Sequence, residues 1–257
     1  MKFIKSVLLM TICVIVAACG EKKLSLDPKA QSDKQLYEIG LNHLKEEHYE
    51  QAREAFRVVF DNFTSEYRIL AKLGYADSYF QQSTEPNYLL AIQEYQDFIS
   101  LFPFSQKACY AQLQIGNAYF KMVEKPDRDQ TTTRKALDEY RKVVDNYPNC
   151  EHYKQAYENL VHCYALLAEH EFLIARFYQK TGKHGASVDR LKGILKAYPE
   201  SVYQPKFYYH LAESLQELAQ YNESCSYYNT LLEKWPSSEF TGDAQSAKTE
   251  VCSKTAQ

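Results

Sequence analysis

Apolar positions recur along most of this chain at spacings that suit helices, and the same spacing returns five times. Four amphipathic runs close on an aromatic–proline pair: Phe102-Pro103, Tyr147-Pro148, Tyr198-Pro199 and Trp235-Pro236. Phe63-Thr64 is a fifth, degenerate case. Twelve residues before the proline position stand Ala52, Ala91, Ala136, Ser187 and Ser224, all small. Eight before it stand Phe56, Tyr95, Tyr140, Leu191 and Tyr228, and five before it Val59, Phe98, Val143, Ile194 and Leu231. These offsets place small and large apolar side chains on one helical face, and the proline disfavours helix at the residue before it. A second set lies upstream: Ile39-Gly40, Leu73-Gly74, Ile115-Gly116, Ile174-Ala175 and Leu211-Ala212. Its small residue is expected to let a first helix approach the small residue of a second.

Antiparallel helix pairs of about 34 residues that meet through small side chains are the tetratricopeptide pattern. The expected fold is therefore all-α, a helix-turn-helix solenoid of about five repeats over residues 33–254. In repeats two and three the glycine and the following small residue are further apart (Gly74 to Ala91, Gly116 to Ala136). The extra residues are expected in turns, among them "KMVEKPDRDQTTT" at 121–133. An additional long helix, about 151–168, should run into the first helix of repeat four, and a helix at about 239–253 should cap the stack.

The N-terminus departs from this pattern. Residues 7–18 form an apolar run interrupted by Thr11 and preceded by Lys2 and Lys5. A spanning helix needs about 20 apolar residues, so the run reads as an export signal. It ends in Val16-Ala17-Ala18-Cys19, which resembles a bacterial lipobox. Residues 1–18 are then a lipoprotein signal peptide and Cys19 the acylated, palmitate-bearing residue. Several acyl chains give stable anchoring where one is marginal. Gly20, rather than an aspartate, follows the cysteine, which points to the outer membrane with the body facing the periplasm. Residues 19–32 are polar and read as a flexible tether.

Composition excludes more than it assigns. The chain carries 30 Lys+Arg against 33 Asp+Glu, a net charge of −3, so bulk charge does not suggest nucleic-acid binding. Among the histidines there is no HExxH, and no GxSxG or Gly-rich phosphate loop occurs. No catalytic group, cofactor or metal site is expected. His43 and His48, five apart, should point to different sides of a helix. The five cysteines beyond Cys19 (Cys109, Cys150, Cys163, Cys225 and Cys252) show no CxxC or zinc spacing. The sequence does not pair them, and buried free thiols are the expectation.

The first helices of repeats one to three should line the concave side at about 33–121. They offer Tyr37, Arg68, Tyr75, Tyr79, Tyr110, Asn117 and Lys121, a wall of aromatics and cations in which no acidic residue is expected. Such a wall suits an extended peptide with aromatic side chains and a free carboxylate. The alternative is that these tyrosines fill contacts between repeats.

Two segments go beyond generic repeats: "DRDQTTTRKALDEYRKVVDNYPNC" (127–150) and "FYQKTGKHGASVDRLKGILKAYPES" (177–201). With the lipobox and five repeats, they make the chain similar to the BamD family, lipoproteins of the outer-membrane β-barrel assembly machine. The resemblance implies a non-enzymatic adaptor that binds a POTRA domain of the barrel subunit BamA, other Bam lipoproteins and unfolded barrel proteins. It implies BamA docking on the half at about 151–237, and it places the docking arginine at Arg190, in "SVDRLKG". Arg190 is expected on the convex surface within a basic stretch that includes Lys183, Lys192 and Lys196. The other reading is a lipoprotein scaffold of the same repeats that pilots secretin and pilus assembly or couples envelope enzymes.

Overall fold

The computed structural model describes residues 31–199 and 201–254. The signal, Cys19 and most of the tether lie outside them. Eleven helices and no strand occur among the described residues. Five antiparallel hairpins follow one another: α1 (Asp33–Lys45) with α2 (Tyr49–Asp61), α3 (Arg68–Gln81) with α4 (Glu85–Leu101), and α5 (Ala108–Lys121) with α6 (Thr131–Asn146). Then come α7 (Tyr153–Lys180) with α8 (His184–Ala197), and α9 (Gln204–Glu217) with α10 (Tyr221–Lys234). Helix α11 (Thr241–Ser253) closes the stack against α10. No described helix is long and apolar enough to cross a membrane.

Local chemistry sets the helix ends. Ser32 accepts from the Gln35 amide and the Gln35 side chain returns to the Ser32 amide, a capping box that starts α1. Phe102, Tyr147, Tyr198 and Trp235 share one backbone conformation, φ −130° to −133° and ψ 54° to 62°. A following proline excludes helix at those positions. Repeat one has Thr64 instead; its helix stops a residue earlier in the pattern, at Asp61, and Phe63 is 82% exposed.

The register read from the prolines is the core. Ala52, Ala91, Ala136, Ser187 and Ser224 have no exposed surface, nor do Phe56, Tyr95, Tyr140, Leu191 and Tyr228. What fills the space above the glycines differs from the expectation of small against small. A Cβ on Gly40 or Gly74 would lie 2.6 or 2.7 Å from the ring of Phe56, and one on Gly116 would lie 2.6 Å from Tyr140. The rings lie on the glycines, and Phe56 locks α2 to both α1 and α3. In repeat five small residues do meet: Ser224 Oγ donates to the Ala212 carbonyl at 2.8 Å.

Other expectations are corrected. The extra residues of repeat two are helical: α4 begins at Glu85, with Pro86 in its first turn and Tyr88 buried against Phe80. Packing of that aromatic makes another helical turn favourable where a loop was expected. In repeat three the turn does lengthen, over residues 122–130, and it is pinned by Gln130 to the Lys125 and Arg128 carbonyls and by His170 of α7 to the Pro126 carbonyl. Helix α7 is continuous. Its first half (Ala156, Leu160, Cys163, Leu167) belongs to the core of repeat three and its second half (Ala168, Phe172, Ala175) to that of repeat four.

Four of the five cysteines expected as thiols are paired. Cys109 on α5 joins Cys150 in the α6–α7 turn, and Cys225 on α10 joins Cys252 on α11. Cys163 is a buried free thiol, and burial pushes its pKa up to about 12. Nor do His43 and His48 point apart. Helix α1 ends at Lys45, and Glu47 has a φ of 61°. The reversal brings the two ring centroids to 5.8 Å.

Candidate functional site

The first helices of the repeats carry a polar network among aromatic rings. Asp77 on α3 accepts at Oδ1 from the hydroxyls of Tyr95 (2.6 Å) and Tyr110 (3.0 Å). Gln114 donates Nε2 to the Tyr110 hydroxyl at 2.8 Å and accepts at Oε1 from Asn117 Nδ2 at 2.6 Å. Asn117 Oδ1 accepts from Tyr140 (2.9 Å) and from Asn159 Nδ2 on α7 (3.2 Å). The chain of bonds crosses α3, α5 and α7, so the wall is fixed relative to the stack. Burial raises the Asp77 pKa to about 6, against the lowering effect of the two tyrosine hydroxyls.

The seven residues expected to form a peptide wall do not form one cluster. Tyr37 makes tilted ring contacts with Phe56 and Tyr67, and its pKa is raised by burial first and then by the nearby Asp77 carboxylate. Tyr75 and Tyr79 meet edge to face at 5.5 Å, and burial pushes Tyr75 up to about 12. Tyr79 is covered on one face by the Arg53 guanidinium, 4.3 Å from its centroid. Tyr110 and Asn117 belong to the network. Arg68 lies at the edge formed by the α2–α3 and α4–α5 turns. Its Nε donates to the Phe60 carbonyl at 3.1 Å, and its guanidinium lies within 4.8 Å of Phe60, 4.7 Å of Phe63 and 5.3 Å of Phe102.

Lys121 is at the opposite edge. It lines a cavity of about 470 Å³ with Ser83, Glu85, Tyr88, Met122, Glu124, Asp129 and Thr132. The two cations therefore bracket the wall. The expectation of a wall free of acid is corrected by Asp77, which the register places between the positions chosen for the groove. Gln114, on α5 between Tyr110 and Asn117, and Asn159, on α7 outside the region read as the groove, were missed because only packing between helices brings them into the network.

Arg190 is on α8, but it is not a free charge in a basic patch. Its Nη1 donates to Oε2 of Glu171 on α7. The pair lines a cleft of about 510 Å³ between the second half of α7 and α8, with Tyr178, Ala186, Asp189, Gly193, Ile194, Ala197 and Tyr198. The neighbouring lysines diverge. Lys192 pairs with Glu223 of α10 at 2.7 Å, and Lys196 lines a separate cavity with Tyr157, Leu160, Tyr164 and Pro199. Helical spacing distributes these cations over different faces.

Stacked helical hairpins with a shared inner wall and no strand among the described residues define a tetratricopeptide solenoid, and a tetratricopeptide repeat profile matches residues 207–238. The chain belongs to the YfiO/BamD family: the family profile, described as outer membrane lipoprotein, matches residues 29–219. It is similar to the outer membrane protein assembly factor BamD of Caulobacter vibrioides, 30% identical over 87% of this chain and 75% of that one. It is also similar to BamD of Pasteurella multocida, 27% identical over 75% of each. Among solved structures, the TPR2AB domain of yeast Sti1 covers 86% of both chains at 18% identity, with a TM-score of 0.44.

Proposed function

We propose that this chain is a non-enzymatic adaptor of the outer-membrane β-barrel assembly machine, held at the outer membrane by lipid on Cys19 with its solenoid in the periplasm. In this reading Arg190 and its cleft dock on a POTRA domain of BamA, and the chain also holds other Bam lipoproteins. Unfolded barrel proteins are received along the wall of repeats one to three. The observation that carries the reading is the family match over residues 29–219, which spans both the wall and the cleft. The geometry supports it physically. Tyr75 and Tyr110 supply amphipathic rings, Asn117 and Gln114 supply donors and acceptors for an extended backbone, and Arg68 and Lys121 supply a cation at either edge for a chain-terminal carboxylate.

Arg190 suits a docking role because a guanidinium can exchange one carboxylate for another without a change of protonation. Glu171 holds it until an acidic partner arrives. Copurification from detergent-solubilised outer membranes tests the whole reading. BamA should accompany this chain, and should be lost with Arg190→Glu. Recovery of a secretin or an envelope hydrolase in place of BamA would reject it.

A further inference from the structure

The turn between α1 and α2 gathers three side chains that the function above does not use. His43, Glu46 and His48 each offer a ligand atom, and these atoms all lie within 4.8 Å of one another. The backbone brings this about. With Glu47 at a φ of 61°, the chain reverses so that the His48 amide donates to the His43 carbonyl at 2.8 Å. His48 Nδ1 stands 3.3 Å from Glu46 Oε2. Nδ1 of His43 is shut off from solvent and has no hydrogen-bond partner, a state that normally costs free energy in a folded protein.

We propose that this turn is a binding site for a divalent transition-metal ion of the zinc class. Two imidazoles and one carboxylate are the donor set that such ions prefer, while magnesium and calcium favour oxygen cages. Zinc bonds of roughly 2.0–2.2 Å require the donor atoms to draw together by on the order of 1 Å. Glu46 and His48 are exposed and can do so by changing rotamer. Three protein ligands leave a fourth position open to water or to a ligand from a partner.

The placement gives the ion a purpose. Among the described helices α1 stands at the N-terminal end of the stack and packs chiefly on α2. An ion joining the end of α1 to the residue before α2 would fasten the hairpin that stands first in the stack among the described residues. Binding to the folded state alone raises stability by mass action. The site is at the α1–α2 turn, and Arg68 is at the other end of the hairpin, so occupancy leaves the edge that carries Arg68 uncovered.

The test is calorimetric titration of Zn²⁺ into the purified full chain, free of any polyhistidine tag, with thermal melts alongside. One saturable site per chain is expected, and Zn²⁺ should raise the melting temperature. Glu46→Gln and His48→Asn, both surface changes, should each weaken binding by roughly tenfold or more. The double variant should melt at the wild-type temperature without zinc and gain nothing from it. Absence of saturable binding by the wild type overturns the proposal, as does a double variant that binds or is stabilised like the wild type.

Discussion

Arg190 on α8 is ion-paired with Glu171 on α7, and both side chains are only partly exposed, 38% and 22%. A pair of this exposure contributes at most about 1 kcal/mol to folding, so its value lies in holding the guanidinium in place. Glu171→Ala should leave the melting temperature nearly unchanged and strengthen BamA binding, since the competing carboxylate is gone. Arg190→Ala should weaken that binding and Arg190→Glu should abolish it. Surface plasmon resonance on an immobilised POTRA domain would read all three, and equal affinities for wild type and Arg190→Glu would move the docking site elsewhere.

Peptides that copy the C-termini of barrel proteins should crosslink to the wall of repeats one to three. Tyr75→Ala and Asn117→Ala should each reduce their affinity by a free energy of about 1–2 kcal/mol. Tyr79→Ala should have a smaller effect on the peptide, because one face of that ring is already taken by Arg53. Mass-spectrometric mapping of crosslinks to α9 and α10 would place the substrate in the wrong half for this reading.

The carboxyl of Asp77 titrates near 6 in the folded protein, against an ordinary aspartate value of 3.8. Between those values the folded state binds more protons than the unfolded one. The stabilisation from this group is therefore complete below the unfolded pKa and is lost as pH rises through about 6. Asp77→Asn removes the linkage. The stability difference between wild type and Asp77→Asn, from urea denaturation at several pH values, should shift in favour of the wild type as pH falls from 7 to 4. A difference that is flat with pH would show that Asp77 titrates normally.

Gly40→Ala and Gly116→Ala should destabilise by roughly 1–3 kcal/mol, because the new methyl meets a buried ring that cannot move away. Gly193→Ala is the internal control. That glycine is inside α8, and outside its own stretch of helix nothing lies within 4 Å of the point its Cβ would occupy, so alanine should be neutral or stabilise by up to about 1 kcal/mol. Denaturation midpoints of the three variants decide the matter, and similar midpoints for all would contradict the ring-on-glycine packing.

The Cys225–Cys252 disulfide, with a sequence separation of 27, fastens α11 to α10. Loop-closure entropy assigns it about 3–4 kcal/mol. Changing both cysteines to serine should speed hydrogen exchange of the α11 amides while α1 to α6 keep their protection. Cys163, buried and with its pKa pushed up to about 12, should stay unreactive to thiol reagents until the chain unfolds.

The repeat register was legible in the chain because it is written in local chemistry. A proline acts on the residue before it, and the offsets to Ala52, Phe56 and Val59, and to their counterparts in each repeat, follow from the pitch of one helix. Those positions are buried as read. The continuous helix through 168 was legible for the same reason, and the terminal cap because a solenoid needs a closing helix. The site was legible only as a selection of positions. Asp77, Gln114 and Asn159 act through bonds between different helices, and one helix does not encode which neighbour it will face.

The sequence by itself determined the class of fold, the order of its hairpins and the family, since each rests on residues that act within a turn or two of one another. Tertiary structure decided which groups met: Arg190 with Glu171 rather than with its basic neighbours, Cys109 with Cys150 and Cys225 with Cys252, His43 with Glu46 and His48. Each meeting depends on the angle at which one helix packs on the next or on a backbone reversal such as that at Glu47. Those are set by the shapes of whole interfaces. A spacing in the chain fixes a side chain's direction on its own helix; the packing of the stack fixes what stands opposite.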